Sequence, residues 1–324
     1  MLARSAESLY WLGRYIERTE HVCRLLRVQM EVLVDRPVRE INLGWRRIYA
    51  AVSRQPPSPA VGFAGADDDF ALADSFTLAD DLTFERTNPD SVRNCLANGR
   101  ENARQTRHCI SGEMWTCLNL AWLRLRERRI QDIWRPAPES FYAEVARDMG
   151  TFLSVMDATM YRDDGWRFLQ VGRAVERAQA TLALLLAQLE AVRMRDDAAE
   201  EEWLGVLRIC EAFDAYRRCF GVELRAERAL DLLVDDPLLS RSLYRSLETA
   251  AARLGTIAPG PNPVRAAREL AADLVATARG PWPAGARLDE REDRLRRMQV
   301  RCRTLHDVLM AAHVRYDVDG ALPR

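Results

Sequence analysis

Lysine is absent from the 324 residues, and all 47 basic side chains are arginine. A Walker-type phosphate loop, a lysine Schiff base and a pyridoxal anchor are therefore excluded from this chain. Histidine is scarce, with four in all. His21 lies four residues after Glu17, His306 and His313 are two turns apart, and His108 adjoins Cys109. None of these makes the Glu-x-x-His pairs of a carboxylate bundle or an H-E-x-x-H helix, so neither a metal nor a cofactor is expected. The seven cysteines are odd in number and never spaced C-x-x-C, which speaks against a disulfide framework and against a zinc site. No apolar run approaches the roughly 20 residues that cross a bilayer. The chain opens on a helical pattern and not on a basic-then-apolar leader. The expectation is a reducing, cytoplasmic setting away from the membrane. A net charge of -1 argues against a nucleic-acid partner.

Alternation with period two is also missing, so no sheet is expected. Helical spacing is everywhere. From Ala3 to about Val34, apolar residues recur at Leu9, Leu12, Ile16, Cys23, Leu26, Met30 and Leu33, with a second strip at Trp11, Tyr15, Val22 and Leu25. A helix apolar over so wide an arc should be mostly buried. Further helices are expected at Val38–Val52, Asp67–Leu78, Ser91–Ile110, from Ser111 through Leu125, Glu139–Tyr161, Asp163–Met194, Glu200–Phe220, Leu224–Val234, Arg241–Leu254, Val264–Ala278 and Leu288–Tyr316. Pro and Gly clusters at 55–65, 259–263 and 280–283 mark loops, and 317–324 reads as a loose tail.

One pattern occurs twice. Gly13-Arg14-Tyr15-Ile16-Glu17-Arg18 returns as Gly172-Arg173-Ala174-Val175-Glu176-Arg177, offset by 159 positions. Ser91, Val92 and Leu96 likewise return as Ser242, Leu243 and Leu247 at an offset of 151. The repeat predicts an all-α protein of about a dozen helices in two similar halves, 1–162 and 163–324, packed as one unit with the two motif helices side by side. The glycines would let another helix approach closely.

An arginine and a glutamate on a buried helix are tolerable only if paired. Arg14, Glu17, Arg18, Arg173, Glu176 and Arg177 therefore form either an internal ion-pair network or the lining of a polar ligand pocket. In the second case Glu17 and Glu176 are the candidate catalytic carboxylates. A second polar group, Arg100, Asn102 and Arg104 with Glu101 and Arg107, would bind a carboxylate or phosphate if it met the motif helices, and would be a solvated stripe if it did not.

The opening MLARSAESLYWLGRYIERTE resembles the alpha-E family, bacterial all-helical proteins named for a Glu-Arg motif. So do Arg100-Glu101-Asn102-Ala103-Arg104, Gly165-Trp166-Arg167-Phe168 running to Gly172-Arg173, and Leu232-Leu233-Val234 before Pro237. Pro56 to Thr83 departs from that pattern. The resemblance implies association with circularly permuted ATP-grasp proteins, enzymes that activate carboxylates and form amide or peptide bonds. It implies an accessory helical partner or substrate-presenting subunit of such a ligase, with a peptide or amino-acid substrate. It assigns no catalytic residue. An enzyme component with its own Glu/Arg pocket, working in acyl or aminoacyl transfer, and a purely structural scaffold both stay open.

Overall fold

The computed structural model describes residues 3–33, 37–57, 68–135, 137–193, 202–257, 262–282 and 286–313. Within them lie fourteen α-helices and no strand. In order they are α1 (Ala3–Val32), α2 (Val38–Ala51), α3 (Asp68–Thr83), α4 (Val92–Gln105), α5 (Gly112–Leu125), α6 (Ile130–Trp134), α7 (Pro138–Thr159), α8 (Asp164–Arg193), α9 (Glu202–Ile209), α10 (Phe213–Phe220), α11 (Ala226–Val234), α12 (Leu243–Thr256), α13 (Asn262–Arg279) and α14 (Leu288–His313).

The apolar arcs of α1 and α8 are too wide for one neighbour to cover, and both helices are enclosed. Around α1 lie α8, α4 and α7; around α8 lie α1, α12, α14 and α2. A second layer follows, with α5 on α4 and α7, and α13 on α12 and α14. Leu9, Leu12, Ile16 and Leu26 of α1 and Leu169, Leu182, Leu184 and Leu185 of α8 are wholly buried in one continuous core. α4 and α12 begin alike. Ser91 and Ser242 sit in extended backbone and accept from the amides of Asn94 (3.3 Å) and Arg245 (3.1 Å), satisfying a donor that the first turn leaves free.

α1 and α8 lie side by side and run in the same direction. Their contacts advance in step, from Tyr10 with Gly172 to Val32 and Ala191 at the rim of one cavity. At the crossing the backbones touch. A Cβ on Gly13 would stand 2.2 Å from the carbonyl oxygen of Leu169, and one on Gly172 would stand 2.0 Å from that of Tyr10. Tyr10 and Leu169 each lie three residues before their own helix's glycine, so the approach is reciprocal.

Four elements differ from the sequence expectation. α4 ends at Gln105, five residues short of Ile110, where the Thr106 hydroxyl donates to the Asn102 carbonyl at 2.8 Å. Glu200–Phe220 was expected as one helix, yet α9 and α10 are separated at 210–212. Glu211 is left-handed (φ 53°), and the amide of Ala212 donates to Leu207 at 2.8 Å. No Gly or Pro marks the break. Leu207, Ala212 and Tyr216 stay buried across it, so the apolar pattern hides it. α3 continues to Thr83, and α6, at five residues, is too short to show a period. The expected tail at 317–324 and most of the loop at 55–65 lie outside the described residues.

All seven cysteines are free, and Cys23, Cys95, Cys210 and Cys302 are buried as small apolar residues.

The glycine crossing makes a stability prediction. Gly172→Ala gains about 1 kcal/mol of helix propensity. The new methyl meets backbone that cannot swing aside, so the helices must separate. A net loss of about 1–3 kcal/mol is expected, read as a lower urea midpoint, with Gly13→Ala behaving alike. A midpoint that rises in both variants contradicts the close crossing.

Candidate functional site

The motif spacing decides what happens at the crossing. Glu17 follows Gly13 by four residues, so it shares the glycine's face one turn further along, while Arg14 and Arg18 stand on the adjoining face. The same holds for Gly172, Glu176, Arg173 and Arg177. With the backbones in contact, each glutamate reaches the other helix's arginines. Arg177 donates to Glu17 through Nε and Nη2, both at 2.7 Å, and Arg173 stands 3.5 Å from the same carboxylate. Arg14 donates to Glu176 at 2.6 Å, and Arg18 does so through Nε at 2.6 Å and Nη2 at 3.1 Å. Each Glu-Arg pair is thus completed by the other copy. Glu17 is 1% exposed and Glu176 6%, which leaves water little access to either.

The clasp extends outward. Arg241, just before the Ser242 cap, bonds Glu17 at 3.3 Å, Glu20 at 2.5 Å and Glu211 at 2.8 Å. The left-handed turn at Glu211 is what brings that last carboxylate within reach. Asp90, just before the Ser91 cap, accepts from Arg18 at 2.5 Å and Arg54 at 3.3 Å. Arg24 donates to Glu20 at 2.8 Å. Across these contacts seven guanidiniums meet five carboxylates, leaving a positive excess.

Burial alone raises a carboxyl's pKa, but here the guanidiniums win. Burial pushes Glu17 up; Arg177, Arg173 and Arg241 outweigh it and hold the carboxyl well below the usual range. At Glu176, Arg14 and Arg18 overcome burial and bring it down to about 2. Both glutamates are ionised and occupied near neutral pH, which suits neither a general acid nor an effective base. His21, beside Glu17, is pushed down to about 3 by burial and then by Arg24, and its Nε2 has no partner. His306 is pushed down to about 4 by burial and Arg14, and its Nδ1 lies 2.9 Å from the Tyr10 hydroxyl.

Of the residues singled out from sequence, Arg14, Glu17, Arg18, Arg173, Glu176 and Arg177 come together. Arg100, Asn102 and Arg104 do not join them. Arg100 donates to Asn119 at 2.8 Å and lies 5.1 Å from the Trp115 ring, Asn102 donates to the carbonyl of Asn98, and Arg104 pairs with Glu101 at the surface. α4 meets α1 through Gly99, against Tyr15, Ile16 and Leu12, and its arginines face elsewhere. Arg241 was missed; its place just before a repeated serine cap was the available signal.

Space near the clasp is uneven. Between Glu17, His21, Arg177 and Arg241 there is only about 10 Å³, at most one water. On the Arg173–Arg177 side a cavity of about 380 Å³ opens, lined also by Asp157, Arg162, Trp166, Gln170 and Arg253. Among the described residues no group of three or more His, Cys, Asp or Glu is placed to hold a metal ion, and no helix is long and apolar enough to cross a membrane.

The model of the Alpha-E family, a predicted alpha-helical domain with a conserved ER motif, matches residues 1–314. The chain is also similar to uncharacterized proteins of Mycobacterium bovis (28% identical over 269 residues) and Mycobacterium tuberculosis (28% and 27% over the same length). Each alignment covers 78% of this chain and 29% of the relative, so the chain spans less than a third of those proteins. No solved structure matches.

Two predictions follow from the charges. Glu17→Gln strands Arg173 and Arg177 around a neutral amide, and Glu176→Gln does the same to Arg14 and Arg18. Each should cost about 3–5 kcal/mol in denaturant unfolding, since breaking a buried pair exposes its full desolvation penalty; an effect below 1 kcal/mol would mean the clasp is dispensable. The second concerns acid. His21, His306 and Glu176 all have depressed folded values, so their stabilisation is complete above the unfolded pKa and is lost as pH falls. Unfolding free energy should decline from about pH 6.5 through the histidines and more steeply below about 4.5, where Glu176 adds. Denaturant midpoints between pH 7 and 4 test this, and His21→Gln should flatten the upper part of the curve.

Proposed function

The chain belongs to the Alpha-E family, and from that premise we propose that it is a non-catalytic helical partner of an ATP-grasp-type amide or peptide ligase, presenting the ligase's peptide or amino-acid substrate. The observation that carries the non-catalytic part is the clasp. Both candidate catalytic carboxylates are buried, ionised and bonded by arginines of the opposite helix, so neither can exchange a proton with a substrate. The motif holds the fold together and leaves the reaction to a partner. The missing lysine points the same way, since a chain without one lacks the usual phosphate-loop side chain. That the domain covers under a third of its mycobacterial relatives fits a part that works beside other domains. Dependence on ATP puts the activity in the cytoplasm.

Co-purification of the native complex, followed by ATP hydrolysis with and without this chain, tests the proposal. A co-purifying ATP-grasp protein whose turnover falls when the chain is withheld is the expected result. Isolation of the chain alone, with no effect on any ATPase, removes the partner reading. Turnover lost in a folded Glu176→Gln variant, with complex formation intact, would assign catalysis to the motif and overturn the non-catalytic reading.

A further inference from the structure

The cavity of about 380 Å³ beside Arg173 and Arg177 falls within the roughly 300–1,000 Å³ typical of small-molecule sites. We infer that it binds the oxyanion of a small molecule, a carboxylate or a phosphate, between Arg253 and the Arg173–Arg177 edge of the clasp. The first ground is charge. Four arginines line the cavity, and its one carboxylate, Asp157, already accepts from Gln170 at 3.2 Å. Arg173 and Arg177 share Glu17 with Arg241, three guanidiniums on a single carboxylate. Arg162 and Arg253 have no ion-pair partner among the described residues; both guanidiniums instead lie over the Trp166 ring, at 5.3 and 4.6 Å.

The second ground is hydrogen bonding. Trp166 is 6% exposed, and its Nε1 is buried with no acceptor; the Nε of Arg253 is buried and unpaired as well. Buried donors almost always find an acceptor. Both orphans are donors, and both belong to side chains lining the same cavity, so what each lacks is an acceptor. Amid guanidiniums an anionic oxygen fits best, because charge-assisted bonds to arginine are the strong ones.

The third ground is a comparison within the chain. Three residues before Arg14 stands Trp11, which packs 4.9 Å from the Arg14 guanidinium and edge-on to His306 at 5.4 Å. Three residues before Arg173 stands Gln170, a smaller side chain whose amide donates to Asp157 at 3.2 Å and whose Oε1 accepts from Arg173 at 3.3 Å. The first motif arginine is covered by an aromatic ring, whereas the second is met by a shorter amide that itself lines the cavity.

This inference stands without the ligase reading, and a chain that pulls down no partner leaves it intact. Calorimetric titration of the full chain with inorganic phosphate, and separately with glutarate, tests it. Sodium chloride holds the ionic strength constant, so that general screening cancels. Saturable binding of at least one anion is expected, weakened at least about tenfold in Arg253→Gln. Arg162→Gln, at an exposed position, should weaken it too and serves if the first variant fails to fold. Binding of phosphate alone identifies a phosphorylated ligand, and binding of glutarate alone a carboxylate ligand; either supports the site. No saturable heat with either anion overturns it, as does affinity unchanged in the variants.

Discussion

The fold depends on two helices being allowed to touch at the backbone. Gly13 and Gly172 remove the side chains that would hold α1 and α8 apart, and the rest of the centre follows from that distance. At ordinary helix spacing, 8–10 Å between axes, two long charged side chains meet at their tips and water fills the gap. With the glycines in contact, Glu17 and Glu176 reach across to guanidinium forks and are sealed in. The glycines and the charges are one device: the close approach excludes water, and excluded water makes unpaired charge expensive enough to enforce the pairing.

That device also occupies both glutamates, each of which is held by guanidiniums of the opposite helix. Two donors without partners, the Nε1 of Trp166 and the Nε of Arg253, lie one layer out, where α8 meets α12. The framework and the inferred anion site therefore share two arginines, which bond Glu17 and also line the cavity.

Much of this was legible in sequence because its causes are local. Apolar arcs at helical spacing gave α1 and α8, and the repeated Gly-Arg-x-x-Glu-Arg marked both partners of the crossing. The pairing of Glu17 with Arg177 and of Glu176 with Arg18 was not legible, since a sequence shows that charges must be matched and not which helix supplies the match. Whether Arg100, Asn102 and Arg104 met the motif helices or water could not be read from their spacing; α4 meets α1 through Gly99, and they stand apart from the clasp. The break at Glu211 left no trace because the apolar period runs through it. The cavity was invisible, since its lining comes from α7, α8 and α12, which only the fold brings together.

The reciprocal clasp also sets an order of events at the ribosome. Glu17 is made before its bidentate partner Arg177, which lies 160 residues later. At roughly 5–20 residues per second, the interval between them is on the order of 8–30 s. Through that time α1 can pack on α4 and α7 as they emerge, but its glutamate edge stays in water. The nascent first half is thus kept hydrated along the seam where α8 will dock, and desolvation of the charges waits until both copies of the motif have left the tunnel.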